Sequence, residues 1–180
     1  TFERCARTHP TYQPAIRLDG VGQIVRNNRI ENLPHSALIF AGNEHLIELN
    51  EISRVLLETG DCGAIYCGRD WTLHGTIIRH NLFHDLSGSD ARYQNAVYID
   101  DMASGITVES NLFLRCNWGM LIGGGRDIRI RGNVFADCAK GLSFDNRGVG
   151  WMAKSIADPG SSALHRRLRA VPIDREPWRT

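Results

Sequence analysis

The chain has 180 residues, 42% hydrophobic and 23% charged, with a formal net charge of +1. That describes one globular domain long enough to bury a core without metal or disulfide staples. It lacks the basic footprint of a nucleic-acid binder, and no apolar run approaches the roughly 20 residues of a membrane span, so neither nucleic acid nor membrane insertion is expected. The sequence begins at Thr1 with no signal-peptide pattern and reads as a segment of a longer protein. The five cysteines, at 5, 62, 67, 116 and 138, form neither a disulfide framework nor a zinc set and read as buried thiols.

Residues 1–14 are a partial lead-in. From residue 15 the sequence repeats. Five segments align without gaps: Ile24–Ile30, Leu46–Ile52, Ile77–Phe83, Thr107–Phe113 and Arg129–Phe135. Each carries an Asn in one column (Asn28, Asn50, Asn81, Asn111, Asn133), at spacings of 22, 31, 30 and 22. Three residues before it stands Val or Ile, and two after it Ile or Phe. A second motif recurs in phase as Ala15-Ile-Arg-Leu, Ala37-Leu-Ile-Phe, Ala64-Ile-Tyr-Cys, Ala96-Val-Tyr-Ile, Met120-Leu-Ile-Gly and Leu142-Ser-Phe-Asp. Two short strands per period and no intervening helix predict a coil of parallel strands, a β-helix of five to six rungs over residues 15–150. An inward Asn at a corner of such a coil can bridge bent backbone and the Asn one rung away, at about 4.8 Å. Cys116 and Cys138 each follow their Asn by five residues, which predicts a thiol stack or, second, a strained disulfide.

Strand alternation puts the second and fourth positions of the second motif inside. The third position, Arg17, Ile39, Tyr66, Tyr98, Ile122 and Phe144, then faces out. Outward Tyr66 and Tyr98 beside Asp100 suit a sugar ring, whose C–H side packs on aromatic faces; the alternative is a face covered by a neighbouring loop. Asp70, Asp100, Asp101 and Asp145 follow the first strand of their rungs, and Asp61 precedes the Tyr66 strand. Two carboxylates are what glycoside hydrolysis requires, one to protonate the leaving oxygen and one as base or nucleophile. Asp100 is the leading candidate, with Asp145 or Asp70 as partner and Asp61 and Asp101 in reserve. Asp145 lies two rungs from Asp100, roughly 9 to 10 Å by rung spacing. Each Asp has a competing reading as a turn cap. Arg69 and Arg147 can hold a carboxylate or grip an acidic sugar. His84 is a candidate substrate contact whose competing reading is a corner cap, and its strand setting removes the helical metal-ligand argument that the His80–His84 spacing would allow. Two insertions, Arg54–Cys62 and Ser87–Asn95, bracket the Tyr66 rung and are expected to emerge around one groove. Gly123-Gly-Gly125 reads as a tight turn, and residues 151–180 as a tail with a short helix bearing Leu164 and Leu168.

The repeats resemble those of right-handed parallel β-helix proteins of the pectin-lyase-like superfamily. The strings Glu58-Thr-Gly-Asp-Cys-Gly-Ala-Ile-Tyr66, Gly68-Arg-Asp-Trp71, Ala96-Val-Tyr-Ile-Asp-Asp101, Gly123-Gly-Gly-Arg-Asp127 and Asp145-Asn-Arg-Gly-Val-Gly-Trp151 resemble large bacterial β-helix proteins related to glycoside hydrolase family 141. Asn146 departs from the Ala common there, and the tail through Leu168, Val171, Pro172, Pro177 and Trp178 is similar to theirs. The resemblance implies a secreted or periplasmic carbohydrate-active enzyme acting on a polysaccharide or oligosaccharide, with further β-helix rungs flanking this segment. Together with the outward tyrosines and clustered acids it favours a glycoside hydrolase. A polysaccharide lyase or epimerase on the same scaffold is the runner-up, and a glycan-binding or adhesive module the third. No cofactor or metal is assigned, and Ca²⁺ enters only if the chemistry is that of a lyase.

Overall fold

The structure is a computed structural model that describes residues 1–88, 93–160 and 162–176. Pro177, Trp178 and the centre of the Ser87–Asn95 insertion lie outside the described residues. A lead-in strand, β1 (Phe2–Glu3), precedes a first turn of β2 (Ile16–Val21), β3 (Ile24–Arg26) and β4 (Arg29–Glu31). The next turns are β5 (Leu38–Asn43), β6 (Leu46–Glu48) and β7 (Glu51–Ser53), then β8 (Cys62–Gly68), β9 (Thr76–Arg79) and β10 (Leu82–Leu86). The fourth holds β11 (Gln94–Asp100), β12 (Ile106–Glu109) and β13 (Leu112–Cys116), and the fifth β14 (Trp118–Ile122), β15 (Arg129–Arg131) and β16 (Val134–Ala136). β17 (Lys140–Phe144) opens a sixth. The strands stack, all parallel, into three faces: a first of β2, β5, β8, β11, β14 and β17, a second of β3, β6, β9, β12 and β15, and a third of β1, β4, β7, β10, β13 and β16. Two short helices follow, α1 (Ala153–Ala157) and α2 (Ala163–Arg169), and among the described residues no helix is long and apolar enough to cross a membrane.

Each period thus holds three strands where the sequence pattern predicted two. The Asn-centred segment breaks at its middle, because the residue before every column Asn is left-handed: Asn27 (φ 58°), Leu49 (56°), His80 (53°), Ser110 (54°) and Gly132 (63°). One such residue turns an extended chain through a corner, and the corner strands backbone groups that the Asn side chains take up. Asn81 Oδ1 accepts from both the backbone N–H and the Nδ2 of Asn50, each at 3.0 Å. Asn81 Nδ2 donates to Asn111 Oδ1 at 3.0 Å and to the Ile47 carbonyl at 2.9 Å. The same bonds run from Asn28 to Asn133. Beside this ladder Phe83, Phe113 and Phe135 stack face to face, with centroids 4.9 and 4.8 Å apart.

The inward columns are those predicted as far as β11, and Tyr66 and Tyr98 pair in register on the outer side. Further on, the alignment slips by one residue. Val97 pairs with Met120 and Tyr98 with Leu121, so the outward residues of the last two strands are Leu121 and Ser143, while Ile122 and Phe144 continue an inward column. Gly119, not Met120, takes the place of Ala96, since a Cβ there would meet Phe135 at 2.6 Å. Cys116 and Cys138 are free thiols, and burial followed by the neighbouring Cys138 pushes the Cys116 thiol up.

Replacing Asn111 by Leu leaves buried N–H and C=O groups of two corners unpaired, with an expected cost of about 1–3 kcal/mol; unfolding in denaturant at wild-type midpoint would show the ladder to be dispensable. A second expectation concerns His35, just before β5. Its Nδ1 lies 2.6 Å from Thr59 Oγ1, whose hydroxyl donates to the Pro34 carbonyl, so Nδ1 carries the proton and the buried Nε2 has no hydrogen-bond partner among the described residues. Burial lowers the His35 pKa to about 4. Between the ordinary value of 6.5 and about 4 the unfolded chain takes up a proton that the folded one refuses. Stability is therefore full above 6.5 and lost as the pH falls toward 4. His35→Gln should flatten that part of a melting-temperature profile, and an unchanged slope would place the titration elsewhere.

Candidate functional site

The ends of the first-face strands bring the acidic residues together. Tyr98 and Asp100 share outward parity on β11, and Asp100 and Asp145 each follow the last inward residue of their strand, two turns apart. Between them Gly123 has no side chain, and a Cβ there would lie 2.5 Å from the Arg147 guanidinium carbon. Arg147, nearly buried, fills that space. It arrives from the loop after β17, where its N–H bonds to Asp145 Oδ1 at 3.1 Å and its carbonyl accepts from buried Met152.

A guanidinium has five N–H donors, and all five of Arg147 are used within the protein. Nε donates to Asp145 (2.8 Å); one terminal nitrogen donates to Asp101 (2.7 Å) and to Asp100; the other donates to Asp145 and to the Tyr98 hydroxyl (3.4 Å). Tyr98 in turn faces Asp61 at 3.4 Å, and the Tyr66 hydroxyl donates to Asp100 at 2.7 Å. Asp101, in a left-handed turn, also accepts from Arg69 Nε at 2.7 Å.

These contacts set two acids apart. Burial, together with the Asp101 charge, raises the Asp100 pKa against the opposing pull of Tyr66 and Arg147. For Asp145, burial also pushes upward, but the Arg147 bonds outweigh it and hold the carboxyl below its ordinary range. Burial and the Asp100 charge push Tyr66 and Tyr98 upward, so both hydroxyls remain protonated at neutral pH. Asp61, Asp100, Asp101, Asp145, Arg69, Arg147 and Tyr98 line a cleft of about 710 Å³. Its aromatic wall comes from Tyr12, Tyr93 and Trp151, of which Trp151 is 69% exposed.

Several sequence expectations change here. Asp70 is a turn cap outside the cleft: one oxygen takes the N–H and hydroxyl of Thr72 at 2.8 and 2.6 Å, and the other takes Arg167 of α2 at 2.8 Å. His84 lies on the third face between Asp85 (2.7 Å) and Glu51 (3.2 Å), away from the cleft. Arg147 has no donor left for a substrate carboxylate. Tyr66 stands behind Asp100, its ring between those of Tyr12 (5.7 Å) and Tyr98 (5.5 Å). The insertions do meet at the cleft, where Gly60 and Asp61 come from one and Tyr93 from the other. Buried Gln94 joins them through the carbonyls of Leu56 and Thr59 at 2.8 and 2.9 Å. Tyr12, Tyr93 and Trp151 carried no repeat signal, and only their being bulky aromatics in loops marked them. Among the described residues no three His, Cys, Asp or Glu side chains are placed to hold a metal ion.

Residues 14–156 match the family model described as right handed beta helix region, and the chain belongs to that family, whose fold is shared by pectin-lyase-like enzymes and binding modules. No curated protein and no solved structure matches it.

Removing the guanidinium would leave Asp100 buried without its counter-charge and Asp101 with Arg69 alone. Arg147→Met is expected to lower stability by about 3–5 kcal/mol, the range for breaking a buried pair from one side. Arg147→Lys should rescue little, because one ammonium cannot span three carboxylates. Chemical denaturation of the two variants checks this, and a wild-type midpoint for Arg147→Met would refute it.

Proposed function

We propose that this right-handed β-helix protein hydrolyses a glycan in the cleft around Arg147, with Asp100 as proton donor and Asp145 as the partner carboxylate. One observation carries the reading: two carboxylates bonded to one guanidinium line one cleft, and their surroundings shift their pKa values in opposite directions, Asp100 up by burial and Asp145 down by its Arg147 bonds. Acid–base pairs in glycoside hydrolysis need that division, one group protonated near neutral pH and the other ionised. Asp145, the more exposed of the two, can then activate water or attack the sugar. Asp101 positions Arg69 and Arg147, and Tyr66 fixes the Asp100 carboxyl. Tyr12, Tyr93 and Trp151 offer ring faces to the C–H side of a sugar. The resemblance to proteins related to glycoside hydrolase family 141 supports the same class, as does its implication of a secreted or periplasmic setting.

A lyase or epimerase would need a cation for the uronate carboxylate, and Arg147 is saturated by the protein's own acids. Incubation with a panel of oligosaccharides, followed for new reducing ends and for ultraviolet absorbance, separates the classes. Hydrolysis gives reducing ends alone. An unsaturated absorbing product would replace this reading with a lyase, and binding without turnover would leave a binding module. Asp100→Asn should lose about 10²–10⁴ in rate, the usual contribution of a positioned proton-transfer group, with folding retained. His84→Gln, on the third face away from the cleft, should keep the rate, and full activity in Asp100→Asn would move the chemistry elsewhere.

A further inference from the structure

We infer that the cleft excludes glycans bearing carboxylates and that its preferred substrate class is a glycan with a free amine, present as ammonium at neutral pH. The inference rests on the reading of the cleft as a glycan site and names what that site selects. Among the described residues, four carboxylates, Asp61, Asp100, Asp101 and Asp145, line the cleft against two guanidiniums, Arg69 and Arg147. The formal excess is two negative charges, and one remains even with Asp100 protonated.

The hydrogen-bond inventory points the same way. Every donor of Arg147 is spent on Asp100, Asp101, Asp145 and Tyr98. Arg69 has its Nε on Asp101, and its side chain is 71% exposed. A uronate entering here brings a like charge to a lining in which carboxylates outnumber guanidiniums among the described residues. An ammonium brings three donors and the opposite charge. Asp61 is the specificity-determining residue in this arrangement. It is exposed, and the bond it makes is the long one of 3.4 Å from Tyr98, whereas the other three acids are held by Arg147.

Calorimetric titration with three size-matched probes tests the inference: a glucosamine oligosaccharide, its N-acetylated counterpart and an oligogalacturonide. At low salt the amine-bearing chain is expected to bind on the order of tenfold tighter than the acetylated one, as one added charge pair allows, and the uronate chain to bind most weakly. High salt should narrow that ratio. Asp61→Asn should reduce it several-fold at unchanged melting temperature, since Asn accepts the left-handed backbone of this position (φ 50°). A uronate chain that binds as well as the acetylated one, or an Asp61→Asn variant with an unchanged ratio, overturns the inference. Turnover of uncharged glycans with no advantage for the amine sinks this inference and leaves the hydrolase standing. Preferential amine binding without turnover does the reverse, and absence of binding by all three sinks both.

Discussion

The asparagine ladder is the constraint on which the rest of the molecule depends. A strand that slips by one residue exchanges its inner and outer faces, and a coil whose strands run from three to seven residues has little else to hold its register. Each column Asn fixes the corner of its own turn and accepts two hydrogen bonds from the Asn of the turn before. Corners locked in line force every variation in length outward. The periods of 31 and 30 residues add part of their extra length between the first and second faces, where β8 leads to β9 and β11 to β12, and the rest at the corner between the third and first faces, where β7 leads to β8 and β10 to β11. Two loops emerging one turn apart at that corner deliver Asp61 and Tyr93 to the same cleft.

The opposite wall of the cleft depends on the tail. Arg147 has left the coil by the time it turns back between Asp100 and Asp145, and buried Met152 anchors the loop that carries it. α2 then touches the coil again, with Arg167 on Asp70 and the His165 ring 4.9 Å from that of Trp71. The Asp70 carboxylate is thus occupied in holding the tail that supplies Arg147. Burying a lone carboxylate is unfavourable, so buried Asp100, at the end of β11, depends on that tail for its counter-charge.

Those parts of the molecule were legible in the sequence to different degrees, for physical reasons. The Asn column and the stacked Ile and Phe were plain because each corner demands the same side chain. The outward parity of Tyr66 and Tyr98 followed from alternation alone. The slip at Leu121 arose where Gly119 replaced the alanine used to align the motif; a small residue is what that position requires, and the alignment had tracked Ala instead. Asp70 and Asp145 both lie just beyond their strands, and their partners separate a turn cap from a cleft acid. Of those partners Thr72 is local to its turn, whereas Arg167 and Arg147 are set by how the tail folds back, which no repeat encodes. Tyr12, Tyr93 and Trp151 escaped for a related reason, since they lie in lead-in, insertion and tail.

The second face shows why a site forms on the first. Its outward column reads Arg26, Glu48, Arg79, Glu109 and Arg131, alternating in sign from turn to turn in register. Glu48 bonds Arg79 at 2.8 Å and Glu109 bonds Arg131 at 2.7 Å, so the face neutralises itself within the coil. The first face has no such alternation. Asp100 and Asp145 flank a glycine, and their counter-charge comes from a segment outside the repeat. A column that balances its own charges closes against solvent. One balanced by an incoming loop keeps a seam where loop and coil meet, and that seam is the cleft.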